Sequence, residues 1–463
     1  MQNTVILSSK QDFLTGRLEH LSLNEGLGRG ALVLDKDVRE GIFTSPEMET
    51  TPFTTLVMSW NTDTPLGTQS EALCRVRDET GVWSDWLSWG IWSPHLRRSS
   101  RPATDGGCAE CETDTLTMKD GHLGMAIQLR CILRRSSEAG EAVPALRLLA
   151  ATFRQSRDER FGNTMEPILV DNPAPAYCQG IRDPNIGFGM CSPTTATVLM
   201  NARGADLLPE ETALACWDYA YEGFGNWAFT MAAAGSFGYE CWLSFTDADG
   251  IRRELLSGNP VGVSVAYAPT PERATEHSPY MEGTPGFTAG HLMTVRGMTV
   301  ENGREMVLVN DSYGNPDSMA FRKYPLDQFL QCWGGLIYCL RAKTPGAGYG
   351  APHRVPAKLM KTDFGDEFRL LVDGNDLPVP PLFNGSRKHC TGIIAYTLTD
   401  PYNYATTANR PFSYTKSTAN GNVFLPARQL LSHAALGDQA RILVYVITNH
   451  GITYTAQLSR EDL

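Results

Sequence analysis

"AGHLMTVRGMTVENGREMVLVND", residues 289–311, places two apolar runs on either side of a Glu-Asn-Gly corner. Such runs joined by so short a loop read as an antiparallel hairpin. Its register decides which side chain shares a face with His291. A three-residue loop, Glu301-Asn302-Gly303, pairs Val300 with Arg304 and Met293 with Asp311. His291 and Asp311 are then diagonal neighbours on one face, roughly 7–8 Å apart at Cα. A two-residue Asn-Gly turn slips the pairing by one and brings Asn310 to that face instead. Asp311 is the preferred orienting residue here, and Asn310 stays open as the alternative.

Upstream the signals are helical. "GFGMCSPTTATVLMNARG", residues 187–204, sets Cys191 between a glycine-rich turn and a helix. Thr195, Val198, Leu199 and Ala202 fall on one helical face. Ser192 reads as N-cap, Pro193 as a first-turn residue and Gly204 as the stop. "PEETALACWDYAYEG" gives a second helix, with Ala213, Cys216, Trp217 and Ala220 on one stripe. "NWAFTMAAAG" gives a third, with Asn226 as cap and Gly235 as stop. Strands follow at "PVGVSVAY", "HLMTVRGMTV", "EMVLVND" and "LIYCLRA". Helices first and antiparallel strands later make residues 175–345 an α+β unit.

The flanks are β-rich. Over residues 1–165, "TTLVMSWNT", "EALCRVRDE", "GMAIQLRCIL" and "ALRLLAATFR" are strand runs between turn clusters, the pattern of a β-sandwich. A Pro-rich link, "MEPILVDNPAPAYCQG", separates it from the α+β unit. After the Gly/Pro stretch "KTPGAGYGAPHRVPAK", residues 355–463 return to strand patterning as a small C-terminal β domain.

The 463 residues are 42% hydrophobic, enough to bury several cores. A net charge of −11 argues against nucleic acid or an anionic membrane as a main partner. No run of 18 apolar residues exists, so no transmembrane segment is expected. The start lacks a basic region followed by an apolar one, so a cytoplasmic location is the default. A secreted or surface-associated location applies if the start was trimmed. Eleven cysteines, an odd number without framework spacing, favour a reduced protein. Cys108 and Cys111 form the one C-x-x-C, but no second ligand pair follows, so a loop thiol pair is preferred to a metal.

The α+β unit offers each part that thiol-based acyl chemistry needs. Cys191 at a helix start gains from unpaired N–H groups and the helix dipole, which favour a thiolate. His291 can activate it, Asp311 or Asn310 can orient His291, and the Gln179 amide can stabilise an oxyanion. This chemistry needs no cofactor. The motifs "CQG", "GMCSPTTATVLMNARG", "GHLMTVRGMTV" and "VLVNDSYG" together resemble the papain-like cysteine peptidases of the bacteriocin-leader (double-glycine) processing type, in the peptidase-like branch without transporter domains. That resemblance implies a papain-like catalytic domain, with Gln179 as oxyanion donor, Cys191 as nucleophile, His291 as general base and Asp311 as orienting acid. Ser192 departs from the glycine of many relatives. The resemblance also touches "RVRDETGVWSDWLSWGIWS", similar to the β-rich segment ahead of this unit in some bacterial members.

The expected activity is therefore peptide or amide hydrolysis, with a peptide or protein substrate. Thiol acyl transfer to an amine is one rival. A non-catalytic peptide- or glycan-binding protein with a degenerate peptidase domain is another. Trp83, Trp86, Trp89 and Trp92 recur every third residue, with Arg75 and Arg77 in the strand before. A structural ladder of guanidinium and indole planes is the preferred reading. A platform for a cell-surface glycan is the alternative. "FTDADGI" lacks the downstream glutamate of a calcium loop and reads as a polar turn. "RDPNIGFG" lacks the Lys-Ser/Thr of a phosphate loop.

Overall fold

The computed structural model describes residues 3–348 except 66, 95–97, 137–138, 182–186, 206, 208 and 315–316. Beyond these it describes the strands Ala357–Lys361, Glu367–Val372, Cys390–Leu398, Tyr414–Lys416, Asn422–Pro426, Arg441–Thr448 and Thr453–Ser459. Half of the stretch read as the second linker, and the start of the "RDPNIGFG" segment, lie outside the described residues.

The chain is mostly β, and its sheets are antiparallel. Residues 3–154 build two of them. In the larger, Thr55–Asp63 and Ala145–Arg154 run side by side at the centre; in the smaller, Thr68–Asp78 and Gly124–Arg135 do. Alternation explains the smaller sheet. Ala72, Cys74 and Val76 point into the core, while Arg75 and Arg77 point out. The strands at the centre of the larger sheet are buried on both faces, which is why their sequences are near-continuous apolar runs.

The second face of that sheet is covered by the α+β unit. The helix Trp227–Ser236 and the strand Tyr239–Phe245 lie on it, and one apolar core runs through both. Phe229 meets Trp60 and Trp92 edge-on, with ring centroids 6.1 and 5.3 Å apart. Tyr239–Phe245 is an edge of the seven-stranded sheet, a position that leaves N–H groups without ladder partners. Side chains of the larger N-terminal sheet supply them. The Cys241, Leu243 and Phe245 N–H groups donate to Asn61 Oδ1, Ser59 Oγ and Thr152 Oγ1. Asn61 Nδ2 returns a bond to the Cys241 carbonyl at 2.8 Å. Buried Arg147 pairs with Asp63 at 3.0 Å and donates to the Gly235 and Tyr239 carbonyls.

Several local expectations need correction. The second helix stops at Cys216, so Trp217 and Ala220 lie beyond it. There Asp218 Oδ1 collects the N–H groups of Ser100 and Ala220, which favours a turn over another helical residue. Gly235 is not a stop either. Its helix runs to Ser236, and a Cβ at 235 would lie 2.7 Å from the Asn61 amide. "FTDADGI" is the start of a helix: Asp247 caps Ala248–Leu256 through the Gly250 N–H. Cys111 sits buried in a strand rather than a loop, and no disulfide joins the described cysteines. No group of side chains suited to a metal occurs among the described residues.

The seven-stranded sheet carries the hairpin. Asn302 and Gly303 both have positive φ, 51° and 78°, as a two-residue turn of the primed type requires. Glu301, not Val300, therefore pairs with Arg304. On its own that turn would bring Asn310 to the His291 face. A bulge at Arg296 cancels the slip, so Thr294 faces Asn310. Asp311, one residue on, shares the face of His291. The bulge has a visible cause: Val170–Asp171 adds to the edge here, and a Cβ on Gly297 would lie 2.1 Å from the Val170 carbonyl oxygen. Arg296, thrown out of the ladder, bonds Asp171.

Candidate active site

Cys191 is the first residue of the helix Cys191–Asn201 and is half-buried. The cap expected at Ser192 is not made. Ser192 is buried one position inside the helix, with its hydroxyl bonded to Thr230 Oγ1 at 2.9 Å and Tyr338 OH at 2.8 Å. Met190 precedes the helix and supplies no side-chain cap. The first-turn N–H groups thus stay available, and the Ser192 N–H reaches the Cys191 sulfur, as does the Leu292 N–H from the neighbouring strand.

His291 lies in the strand Thr288–Glu301, only 5% exposed. Its Nε2 is 2.7 Å from Asp311 Oδ1. Nδ1 is left to make the imidazole's hydrogen bond with Cys191. Asp311, fully buried, follows the strand Arg304–Asn310. Its Oδ1 also accepts from the Tyr313 N–H at 3.0 Å. Its Oδ2 accepts from Tyr324 OH at 2.7 Å and Tyr267 OH at 3.5 Å. The Asn310 amide turns the other way, donating to the Ala174 and Pro175 carbonyls at 3.1 and 2.7 Å.

Gln179 is buried beside the entry to the Cys191 helix. Ser312 Oγ donates to its Oε1 at 2.6 Å, and its Nε2 donates to the Phe188 carbonyl at 2.8 Å. This pair of bonds fixes which end of the amide faces the helix start and leaves the second Nε2 hydrogen for another acceptor.

The electrostatics favour charge separation. Burial works against a thiolate at Cys191, but the hydrogen bond and charge of His291, with the Leu292 and Ser192 N–H groups, hold the thiol below its ordinary pKa. Burial likewise opposes protonation of His291. Asp311, by charge and hydrogen bond, and Cys191 overcome this and push it up to about 10. Burial would raise the Asp311 pKa, yet His291, the Tyr313 N–H and Tyr324 OH keep it below the ordinary carboxylate value. The described cysteines Cys111, Cys216, Cys241 and Cys332 show the contrast: burial pushes each up to about 12.

Sequence reasoning did not single out Tyr324, Tyr267, Ser312 or Tyr313. Ser312 and Tyr313 adjoin Asp311, and an aspartate two residues before a backbone N–H is a recognisable turn signal. Tyr324 comes from the edge strand Phe321–Pro325 and carries no local signal. The Tyr313 ring lies 6.2 Å from the His291 ring, edge-on, and is partly exposed.

A thiol at a helix start, an imidazole bonded to it and a buried carboxylate behind the imidazole define a thiol–imidazole–carboxylate protein on an antiparallel α+β scaffold. Residues 6–153 match the peptidase C39 N-terminal domain, and residues 173–338 match the peptidase C39-like family. These two matches support a C39-like peptidase family, which suggests a cysteine peptidase. No curated protein matches the chain. Among solved structures it is similar to a protein of unknown function with a galectin-like fold from Bacillus subtilis. That likeness has 12% identity and TM-score 0.20, over 32% of this chain and 94% of that one. It is also similar to the enzymatically active domain of bacteriophage CBA120 tailspike protein 4. There the identity is 11% and the TM-score 0.17, over 33% of this chain and 19% of that one. At such TM-scores neither likeness bears on the site.

Proposed function

We propose that the chain is a cysteine peptidase with a papain-like catalytic domain, hydrolysing a peptide bond through Cys191, His291 and Asp311. The observation that carries this reading is the His291 imidazole, which favours ionisation of the Cys191 thiol and is held by the buried Asp311, with Nε2 to Oδ1 at 2.7 Å. The Cys191 thiolate attacks the carbonyl carbon. The negative oxygen is met by the Cys191 backbone N–H and the second Nε2 hydrogen of Gln179. His291, held as imidazolium by Asp311, gives its Nδ1 proton to the leaving amine. It then takes a proton from the water that hydrolyses the thioester, which frees the acid and restores the thiolate–imidazolium pair.

A peptide substrate suits the surroundings. Phe188, three residues before Cys191, is 87% exposed, and Tyr313 beside His291 is 44% exposed. Exposed aromatic surface close in sequence to Cys191 and beside His291 can receive peptide side chains.

A peptide library incubated with wild type and with Cys191→Ala, read by mass spectrometry, tests the reading. Cleavage at recurrent positions by wild type alone is expected, and added hydroxylamine should divert the products to hydroxamates through the thioester. Equal cleavage by both proteins, or none by either, overturns it. Gln179→Ala should slow turnover about a hundredfold or more while iodoacetamide still labels Cys191. Unchanged turnover would remove Gln179 from the oxyanion role.

A further inference from the structure

The tryptophan-rich segment of the smaller N-terminal sheet splits in two. Trp89 and Trp92 are wholly buried and belong to the core. Trp83 and Trp86 lie half-buried on the outer face, where guanidinium groups cover them. Arg75 sits 4.7 Å from the Trp83 centroid and 5.2 Å from that of Trp86, and Arg130 sits 3.9 Å from Trp86. With its ring occupied in this way, Trp86 is not a free stacking platform. It holds two arginines in place.

The same arginines are anchored by one nitrogen each to neutral oxygens. Arg75 Nε donates to Gln128 Oε1 at 2.8 Å, and Arg130 Nε donates to Thr44 Oγ1 at 3.2 Å. With Arg17 they line a cavity of about 500 Å³ whose lining includes no acidic residue. The ladder explains the convergence: Arg17 pairs with Thr44, Thr44 with Arg130, and Gln128 with Arg75, across four adjacent strands.

The counter-charges are peripheral. Glu47 lies 3.7 Å from Arg75 and Glu19 lies 3.4 Å from Arg17, all of them at least partly exposed. Among the described residues, Arg130 has no carboxylate within ion-pair distance. Burial and the charges of Arg75 and Arg17, set against Glu19 alone, lower the Arg130 pKa. A chain with net charge −11 thus gathers three guanidinium groups around one opening. Two of them are pre-oriented, so their forks can bind an oxyanion at little entropic cost.

We propose that this opening binds an acidic saccharide, with the carboxylate of a uronic acid between the Arg75 and Arg130 forks and sugar hydroxyls on the neutral polar lining. The cavity has the size of a small-molecule site rather than of a bare ion. Apart from Pro46 and the covered Trp86, its lining is hydroxyl, amide, guanidinium and backbone, which suits hydroxyl groups better than apolar side chains. None of this uses Cys191, so the peptidase reading and this one stand or fall separately.

Titration calorimetry of the full chain at low salt, with tri-galacturonate, a neutral galactose trisaccharide and inorganic sulfate, tests it. The uronate should bind, the neutral sugar should not, and sulfate should bind far more weakly than the uronate. Arg130→Gln should weaken uronate binding about tenfold or more, the usual scale for one charge-assisted bond. Arg17→Gln, at an exposed side chain, gives a second variant with the same direction and a smaller loss. Equal binding of the neutral sugar, sulfate binding as tight as the uronate, no uronate binding, or an Arg130→Gln protein that binds like wild type would each overturn the proposal.

Discussion

Asp311 is held by His291 Nε2, the Tyr313 N–H and the hydroxyls of Tyr324 and Tyr267. Such a shell keeps a fully buried carboxylate ionised and aimed. Tyr324→Phe removes the shorter hydroxyl bond and should raise the pH midpoint of Cys191 alkylation by about half a unit to one unit. A purely structural tyrosine would lower stability without moving that midpoint. Tyr267→Phe, at 3.5 Å, should move it less. The same charges set the pH dependence of stability. The His291 pKa is raised in the folded chain, to about 10, so its contribution is full below about pH 6.5 and fades as pH rises through about 10. The Asp311 pKa is lowered, so its contribution is present above about pH 3.9 and lost in acid. Urea unfolding at pH 6 and pH 10 should show wild type losing its advantage over His291→Ala at the higher value. Cys191, His291, Asp311 and Gln179 could be singled out as candidates in the sequence because each carries local context: a helix start, a strand beginning, a strand end, a fixed distance upstream. Tyr324 had none, because a neighbour across a sheet edge leaves no mark in its own segment.

At the scale of elements, the hairpin shows how an expected placement can arise through a different turn. The two-residue Asn302-Gly303 turn alone would have put Asn310 beside His291. The Arg296 bulge returned Asp311 to that face. Bulges depend on what packs against the strand, here Val170–Asp171, and strand alternation does not announce them. Gly297→Ala sets a Cβ against the Val170 carbonyl and should cost about 1–3 kcal/mol, read by urea unfolding. Limited proteolysis should then cut the 165–175 segment faster than in wild type, and unchanged cleavage would mean that this edge addition does not hold the bulge. The helix starts were partly legible. Asn226 caps as its residue type suggests, accepting from the Phe229 N–H, whereas Ser192 is drawn away by Thr230 and Tyr338. A residue's capping tendency yields when a buried hydroxyl network offers it better partners.

At the scale of the molecule, the strand runs of residues 1–165 and the α+β pattern of residues 175–345 were legible, but their shared core was not. Near-continuous apolar strands such as "TTLVMSWNT" are the trace it left. Asn61, Ser59 and Thr152 satisfy the edge N–H groups of Tyr239–Phe245, so each half completes the other's hydrogen bonding. Fluorescence and circular dichroism should therefore report one coincident unfolding transition for residues 3–348. Two separated transitions would mean that the shared core does not couple them. Asn61→Ala orphans the Cys241 N–H and C=O and should cost about 2 kcal/mol or more without dividing that transition.

The central claim is that Cys191 and His291 form a thiolate–imidazolium pair. Iodoacetamide labelling of the native protein across pH, read by peptide mass spectrometry beside His291→Ala, tests it most directly. Cys191 should label well below pH 7 and faster than the other described thiols, and loss of His291 should move its profile toward the free-thiol value near ~8.5. A Cys191 that labels no faster than other accessible thiols, with a profile unchanged in His291→Ala, would contradict the account.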